Sequence, residues 1–336
     1  MSKKRCIFFR LACSGNPLKY ARTQFEYIFL NMIEVQHLTK HFDGLTAVDD
    51  VSFKIESGKT LALIGSSGSG KTTILRMINR LIEPDEGKIL VNDEDLTHQP
   101  LVKVRRSMGY VIQNMGLFPH YTVAGNIAIV PSLLKWDKER IRERVHSLMD
   151  HVGLPPDEYK DKFPEQLSGG QQQRVGLARA LAANPPIILM DEPFGALDPI
   201  TRFHIRQEVL QLDEFEDKTI IIITHDVEEA FEMGDVICLL DEGKMQQLGT
   251  PRELLENPAN DFVIDFFASQ KLQLELAIYT LGDIFDQLYE EKKDGETLEF
   301  SPGTSIREAL DMLHEREQMV GLVRRNGEKR FFDVGK

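Results

Sequence analysis

Apolar residues are spaced along this chain in two contrasting ways. From Ile33 to Ile55 they alternate with polar residues in short segments that break at Asp43-Gly44 and Asp49-Asp50, which predicts a small antiparallel sheet. Leu61–Ile64, Ile187–Met190 and Ile220–Ile223 are instead unbroken apolar runs of strand length. Such runs belong to parallel strands covered on both faces. Lys88–Asn92, after the turn at Glu83–Gly87, and Met108–Ile112 read as further strands. Between Pro119 and Pro186 the period becomes helical: Lys138–Val152 carries one charged face, and Leu177–Ala183 follows a glycine-rich break. The expected fold is therefore α/β, with a parallel core sheet, an antiparallel β subdomain and a helical subdomain over about residues 115–186.

The two ends of the chain depart from this pattern. Pro251–Ala268 carries two short helical patterns that close the core, and Lys271–Glu275 reads as a connector. Beyond it, Ser305-Ile-Arg-Glu308 is a capping-box pattern that opens a helix with Ile306, Ala309, Leu310 and Leu313 on one face. Met319–Arg324 and Lys329–Asp333, joined through Asn326-Gly327, predict a hairpin. At the other end, Met1–Cys13 imitates a leader, but Arg10 interrupts its apolar stretch. Tyr20–Leu30 is too short and too polar to span a bilayer, so Met32 is the expected natural start and residues 1–31 are expected outside the fold. The expected layout is 1–31 extension, 32–268 core domain and 269–336 linker with a small α+β tail.

Composition narrows the function classes. The 336 residues carry a net charge of -13, which argues against nucleic acid as a partner, since sequence-independent binding relies on Lys and Arg. Cys6, Cys13 and Cys238 make no C-x-x-C pair and suggest neither a disulfide framework nor a zinc site. A reducing cytosol fits best. No apolar run reaches the roughly 18 to 20 residues a transmembrane helix needs.

The chemistry begins where Leu61–Ile64 runs into Gly65-Ser-Ser-Gly-Ser-Gly-Lys71-Thr72-Thr73 and then into Ile74–Met77. G-x-x-x-x-G-K-[ST] between a strand and a helix is a phosphate cradle. Gly65, Ser66, Ser67, Gly68, Ser69 and Gly70 offer backbone N–H groups, and the helix opening at Lys71, Thr72 and Thr73 adds its positive end. The Lys71 ammonium neutralises phosphate charge, and the Thr72 hydroxyl can ligate Mg²⁺. Asp191-Glu192 ends the second apolar strand, where Asp191 can hold Mg²⁺ and Glu192 can polarise water; the same pair also suits a solvated strand end. His225 ends the third strand, either as a structural imidazole or within reach of a γ-phosphate. In Leu167-Ser168-Gly169-Gly170-Gln171, two glycines at a helix start and a hydroxyl make a second anion site. One chain then carries two half-sites, so ATP is expected between two copies. For Phe42, stacking on a base and ordinary half-buried packing remain equally open.

In order and interval these motifs resemble the ATP-binding-cassette (ABC) ATPases, over about Met32–Ala268. The resemblance puts the phosphate loop on Gly65–Thr72, the glutamine loop on Gln113 and the signature on Leu167–Gln171. It puts the acidic strand end on Asp191 and Glu192, the aspartate loop on Ala196-Leu197-Asp198 and the switch histidine on His225. It implies Mg²⁺-ATP hydrolysis by a head-to-tail homodimer, with Glu192 as general base and His225 as γ-phosphate sensor. Gln113 would join the Mg²⁺ site of Thr72 and Asp191 to a partner, and Phe42 would stack on adenine.

Three classes of cassette remain: importer motor, exporter motor and a soluble cassette acting on DNA or ribosomes. Acidic charge and the lack of long heptads count against the last, and no fused span points to an exporter. Gln113–Ile127 looks like the importer pattern, in which Leu117–His120 face a coupling helix of a membrane permease. Met77–Gly87 and Gly195-Ala-Leu-Asp-Pro-Ile-Thr-Arg202 look most like the glycine betaine, carnitine and choline transporter ATPases. That resemblance implies osmoprotectant uptake with permease subunits and an extracytoplasmic solute-binding protein, at the cytoplasmic face of the membrane. Polyamine, sulfonate and methionine import are the alternatives. Tyr279–Lys336 resembles one cystathionine-β-synthase (CBS)-type regulatory motif; the other reading is a helix-hairpin tail that merely stabilises the dimer.

Overall fold

Strand pairing divides the apolar pattern between two sheets. The computed structural model describes residues 32–333 apart from 114–115, 196, 211, 216 and 291–295, so the stretch 1–31 and Ala196 lie outside the described residues. The first five strands are β1 (Ile33–Phe42), β2 (Leu45–Ile55), β3 (Thr60–Gly65), β4 (Glu86–Val91) and β5 (Glu94–Asp95). Four of them form an antiparallel sheet in the order β2-β1-β4-β5. β3 instead joins β6 (Met108–Val111), β7 (Ile187–Asp191), β8 (Thr219–Ile223), β9 (Val236–Asp241) and β10 (Lys244–Gly249). Their order is β10-β9-β3-β8-β7-β6, parallel throughout except for β9 with β10.

Successive side chains on a strand face opposite ways, and this builds two cores on one sheet. Leu61, Leu63, Leu189, Ile221 and Ile223 pack with the antiparallel sheet and with α1 (Lys71–Ile78). Ala62, Ile64, Ile188, Met190 and Ile222 face the helical layer. After α2 (Leu101–Ser107), that layer comprises α3 (Val123–Leu133), α4 (Lys138–His151), α5 (Pro156–Tyr159) and α6 (Gly169–Leu181). Its main helices start where side chains cap them: Thr122 accepts from Gly125 N, Asp137 from Arg140 N and Ser168 from Gln171 N. The expected parallel sheet, antiparallel sheet and helical subdomain are all present.

α7 (Pro199–Leu210) connects β7 to β8, and α8 (Val227–Met233) connects β8 to β9. α9 (Pro251–Glu256) and α10 (Asp261–Ala268) follow β10, as the two short patterns predict. The connector expected at Lys271–Glu275 is instead the first part of α11 (Lys271–Ile278). Leu272, Leu274 and Leu276 alternate as on a strand, yet a buried Leu274, 1% exposed, joins the main core while Leu272 is 65% exposed. Helix α6 also begins eight residues before the expected Leu177, because the glycines that look like a break form its first turn under the Ser168 cap. In the tail, β11 (Thr297–Phe300), α12 (Ile306–Glu315), β12 (Val320–Arg325) and β13 (Glu328–Asp333) form a three-stranded sheet with one helix. Asn326 and Gly327 turn the β12–β13 hairpin with φ of 52° and 87°, as such a two-residue turn requires.

Replacing Leu274 with Ala should cost about 2–5 kcal/mol, the usual range for emptying a buried leucine site. Denaturant unfolding checks it, with Leu272→Ala close to the parent; equal midpoints for the two variants would show that α11 is no part of the core.

Candidate active site

Three parallel strands deliver the chemistry to one sheet edge. The register pairs Leu63 with Ile223 and Ile223 with Asp191, so the phosphate loop, the acid pair and Thr224-His225 all leave the sheet side by side. The loop needs glycine at both ends: a Cβ on Gly65 would lie 1.8 Å from Leu240 O, and one on Gly70, at φ 96°, 2.4 Å from Ala47 O. Lys71 is 4% exposed. Its Nζ donates to Gly65 O at 2.9 Å, Ser66 O at 2.7 Å and Ser69 Oγ at 3.1 Å. Burial lowers its pKa, opposed by the charges of Glu192 and Asp191. Ser66 Oγ donates to Asp241 Oδ1 at 2.6 Å, Ser69 N donates to Ser66 O, and Ser67 and Gly68 are exposed.

Thr72 Oγ1 donates to Asp191 Oδ1 at 3.2 Å. Asp191 is buried, and burial raises its pKa against the lowering effects of Thr72 and Arg76. Tyr110 beside it is pushed up to about 12, first by burial and then by the Asp191 charge. Glu192 adopts φ 48°, an unusual value for a non-glycine residue. Its N–H donates to Ile223 O at 3.0 Å, and its carbonyl accepts from Gly195 N at 3.1 Å. Its carboxylate is held from two sides: Gln113 Nε2 donates to Oε2 at 2.6 Å, and His225 Nε2 pairs with Oε1. Of the three expected Mg²⁺ residues, Thr72 and Asp191 pair with each other while Gln113 is engaged with Glu192. No cluster of three or more His, Cys, Asp or Glu side chains suited to a metal occurs among the described residues. A hydroxyl and one carboxylate fit Mg²⁺, which takes few protein oxygens and completes its shell with phosphate and water.

The signature residues form a separate surface. Ser168 Oγ accepts from Gln171 N at 3.3 Å, Gln171 Oε1 accepts from Ser168 N at 2.9 Å, and Gln171 Nε2 donates to Tyr159 OH at 3.2 Å. Gly169 and Gly170 open α6, and a cavity of about 230 Å³ lies between Ser168, Gly170, Gln171, Arg174 and Thr201. Asp198 Oδ1 accepts from Thr201 N at 3.1 Å, at the start of α7. None of these hydrogen bonds reaches the Lys71 loop. Phe42 ends β1, 42% exposed, with Lys40 Nζ 5.4 Å from its ring centre.

Asp241 and Glu229 join the site without a motif to announce them, and Tyr110 and Thr224, legible only as strand positions, turn out to contact its acids. Asp241 ends the apolar run Val236–Leu240, and that run was its signal. Thr224 Oγ1 donates to Glu229 Oε2 at 2.8 Å. Glu229 is 3% exposed, its Oε1 has no hydrogen-bond partner, and burial pushes its pKa up to about 7.

Fold and site together define an ABC-type ATPase. The family model for ABC transporters matches residues 48–195. The chain is 46% identical over 286 residues to the glycine betaine uptake system ATP-binding protein YehX of Escherichia coli (strain K12), covering 85% of this chain and 91% of that one. It is 42% identical to the glycine betaine/carnitine/choline transport ATP-binding protein OpuCA of Bacillus subtilis (strain 168), covering 90% of this chain and 78% of that one. A dimeric structure of the bacterial ABC transporter cassette MJ0796 is similar at a TM-score of 0.59 and 35% identity, over 65% of this chain and 98% of that one. The chain belongs to the ABC transporter family, among its ATP-binding subunits.

A carboxyl that keeps its proton in the fold and loses it on unfolding weakens the fold as pH rises between its two pKa values. For Glu229 that window runs from 4.5 to about 7. Glu229→Gln should remove this loss and stabilise the protein above the window by up to about 3 kcal/mol. Urea unfolding across the window checks it, and a parent-minus-variant difference independent of pH would contradict it.

Proposed function

We propose that this chain is the ATP-hydrolysing subunit of an importer for a small quaternary ammonium osmoprotectant such as glycine betaine, carnitine or choline. The reach of the likeness carries the reading: the relatives named for glycine betaine match over 85% and 90% of this chain, against 65% for the cassette structure. The loop from Gly65 to Thr73 holds the ATP phosphates, Lys71 offsets their charge and Phe42 stacks on the adenine. Thr72, Asp191 and Gln113 hold Mg²⁺, which when bound neutralises charge developing on the phosphate oxygens. Glu192 is the general base toward water, and His225 meets the γ-phosphate. In the present structure Gln113 and His225 both occupy the Glu192 carboxylate. Freeing it is therefore part of reaching the reactive state.

Ser168, Gly169, Gly170 and Gln171 serve the ATP of a second copy, with Asp198 near the junction of the head-to-tail homodimer. The permease docks beside Leu117–His120. An apolar groove of about 400 Å³ there is lined by Val102, Arg106, Ile112, Phe118, Ile129 and Leu133, and Phe118 and Tyr121 are 47% and 52% exposed. The fully buried Asn126 holds this loop through Phe118 N at 2.8 Å and Phe118 O and Tyr121 O at 3.1 Å. No described helix is long and apolar enough to cross a membrane. In this reading the permease holds the subunit at the cytoplasmic face. Solute is delivered from outside by a binding protein. The tail is a partial CBS-like module: β11 runs parallel to β12, and α12 packs Ala309 and Leu313 against Phe300 and Val323.

Glu192→Gln should lower kcat by about two to four decades, the usual loss for a general base, and keep ATP binding. Lys71→Ala should weaken binding itself; a Glu192→Gln variant at the parent rate would remove the base assignment. Reconstituted with its permease and binding protein, the subunit should drive accumulation of labelled glycine betaine or choline on ATP addition. Uptake of a sulfonate, methionine or a polyamine in preference would keep the motor and overturn the solute.

A further inference from the structure

Helix α8 starts one residue beyond His225-Asp226 and carries an unusual concentration of acid. Asp226, Glu228, Glu229 and Glu232 fall within seven residues. Glu229 is buried and held by Thr224, while Asp226 caps the helix by accepting from Glu229 N at 3.2 Å. The cassette answers with two arginines from α7: Arg202 lies 3.6 Å from Asp226 Oδ2, and the buried Arg206 lies 2.8 Å from Glu232 Oε2. A third comes from the tail. Arg307, in the first turn of α12, donates to both oxygens of Glu228 at 3.3 Å and stands 3.5 Å from Glu232 Oε1.

The mounting of that arginine is firm. The described residues of the core and the tail belong to one compact unit, in which α11 lies against both α8 and α12. Ile306 N donates to Tyr279 O at 2.9 Å, Tyr279 OH donates to Glu256 Oε1 at 3.0 Å, and Ser305 caps α12 by accepting from Glu308 N at 3.1 Å. Charges that are partly withdrawn from water need close partners. Without Arg307, Glu228 would lose its partner and stand with Asp226 and Glu232 as three charges held by two arginines, on the short helix that follows His225-Asp226.

We propose that Arg307 is a positioning residue for ATP hydrolysis: by tying Glu228 and Glu232 of α8 to the tail it fixes the stance of His225 relative to Glu192. The tail thereby acts on the hydrolytic site without touching nucleotide. This rests on the reading of His225 as the group that meets the γ-phosphate.

The test uses the full chain and steady-state ATPase kinetics of Arg307→Glu, Arg307→Lys and Arg307→Glu combined with Glu228→Arg, with His225→Ala as reference. Arg307→Glu should lower kcat about three- to tenfold, the scale of energetic coupling through a contact network, with KM for ATP and the melting temperature near the parent values. Arg307→Lys should retain most of the rate, and the charge-swapped pair should recover it. A parent-like kcat in Arg307→Glu beside an inactive His225→Ala would overturn the proposal alone. So would a folded swapped pair that stayed as slow as Arg307→Glu. A fully active His225→Ala would instead remove the site reading, and the proposal with it.

Discussion

Everything at the site depends on the parallel pairing of β3, β8 and β7. That ladder aligns Leu63, Ile223 and Asp191 across three strands, so three segments distant in sequence end at the same level. Because side chains alternate, a slip of one residue would exchange the two cores and turn Asp191 to the other face. The cores forbid it: Leu61, Leu63, Ile221 and Ile223 fit one side and Ala62, Ile64 and Ile222 the other. The ladder also bears the backbone of Glu192, whose φ of 48° costs on the order of 1–3 kcal/mol and is held by Ile223 O.

At this edge every charge has a partner, and each partner is of a kind that can be exchanged. Lys71 rests on two carbonyls and a hydroxyl, which compete weakly against phosphate oxygens. Glu192 rests on Gln113 and His225, both of which have proposed duties toward metal or phosphate. Asp191 stays buried with Thr72, so its negative charge is costly there until a cation arrives. In the proposed mechanism nucleotide binding replaces these contacts, and the protein's own hydrogen bonds mark where the ligand's groups go.

The legible part of the sequence was the part in which one physical cause dominates. Unbroken apolar runs marked β3, β7 and β8 because strands covered on both faces have no polar side to show. The glycines of the phosphate loop were legible because neighbouring backbone comes within a Cβ's reach. Lys271–Glu275 reads as a connector from sequence, and only packing on α8 and α12 shows that it opens a helix. The Gln113–Glu192–His225 contacts and the arginines around α8 were beyond reach, since they join residues 79 and 33 apart through tertiary placement. Asp241 closes Val236–Leu240, an unbroken apolar run of the same kind that marks β9.

In the proposed mechanism each ATP site is completed by Ser168 of a second copy. Sedimentation velocity of Glu192→Gln with Mg²⁺-ATP, alone and combined with Ser168→Arg, checks this. The single variant should form a stable dimer, and the double one should stay a monomer that still binds ATP. A dimer that survived Ser168→Arg unchanged would contradict it.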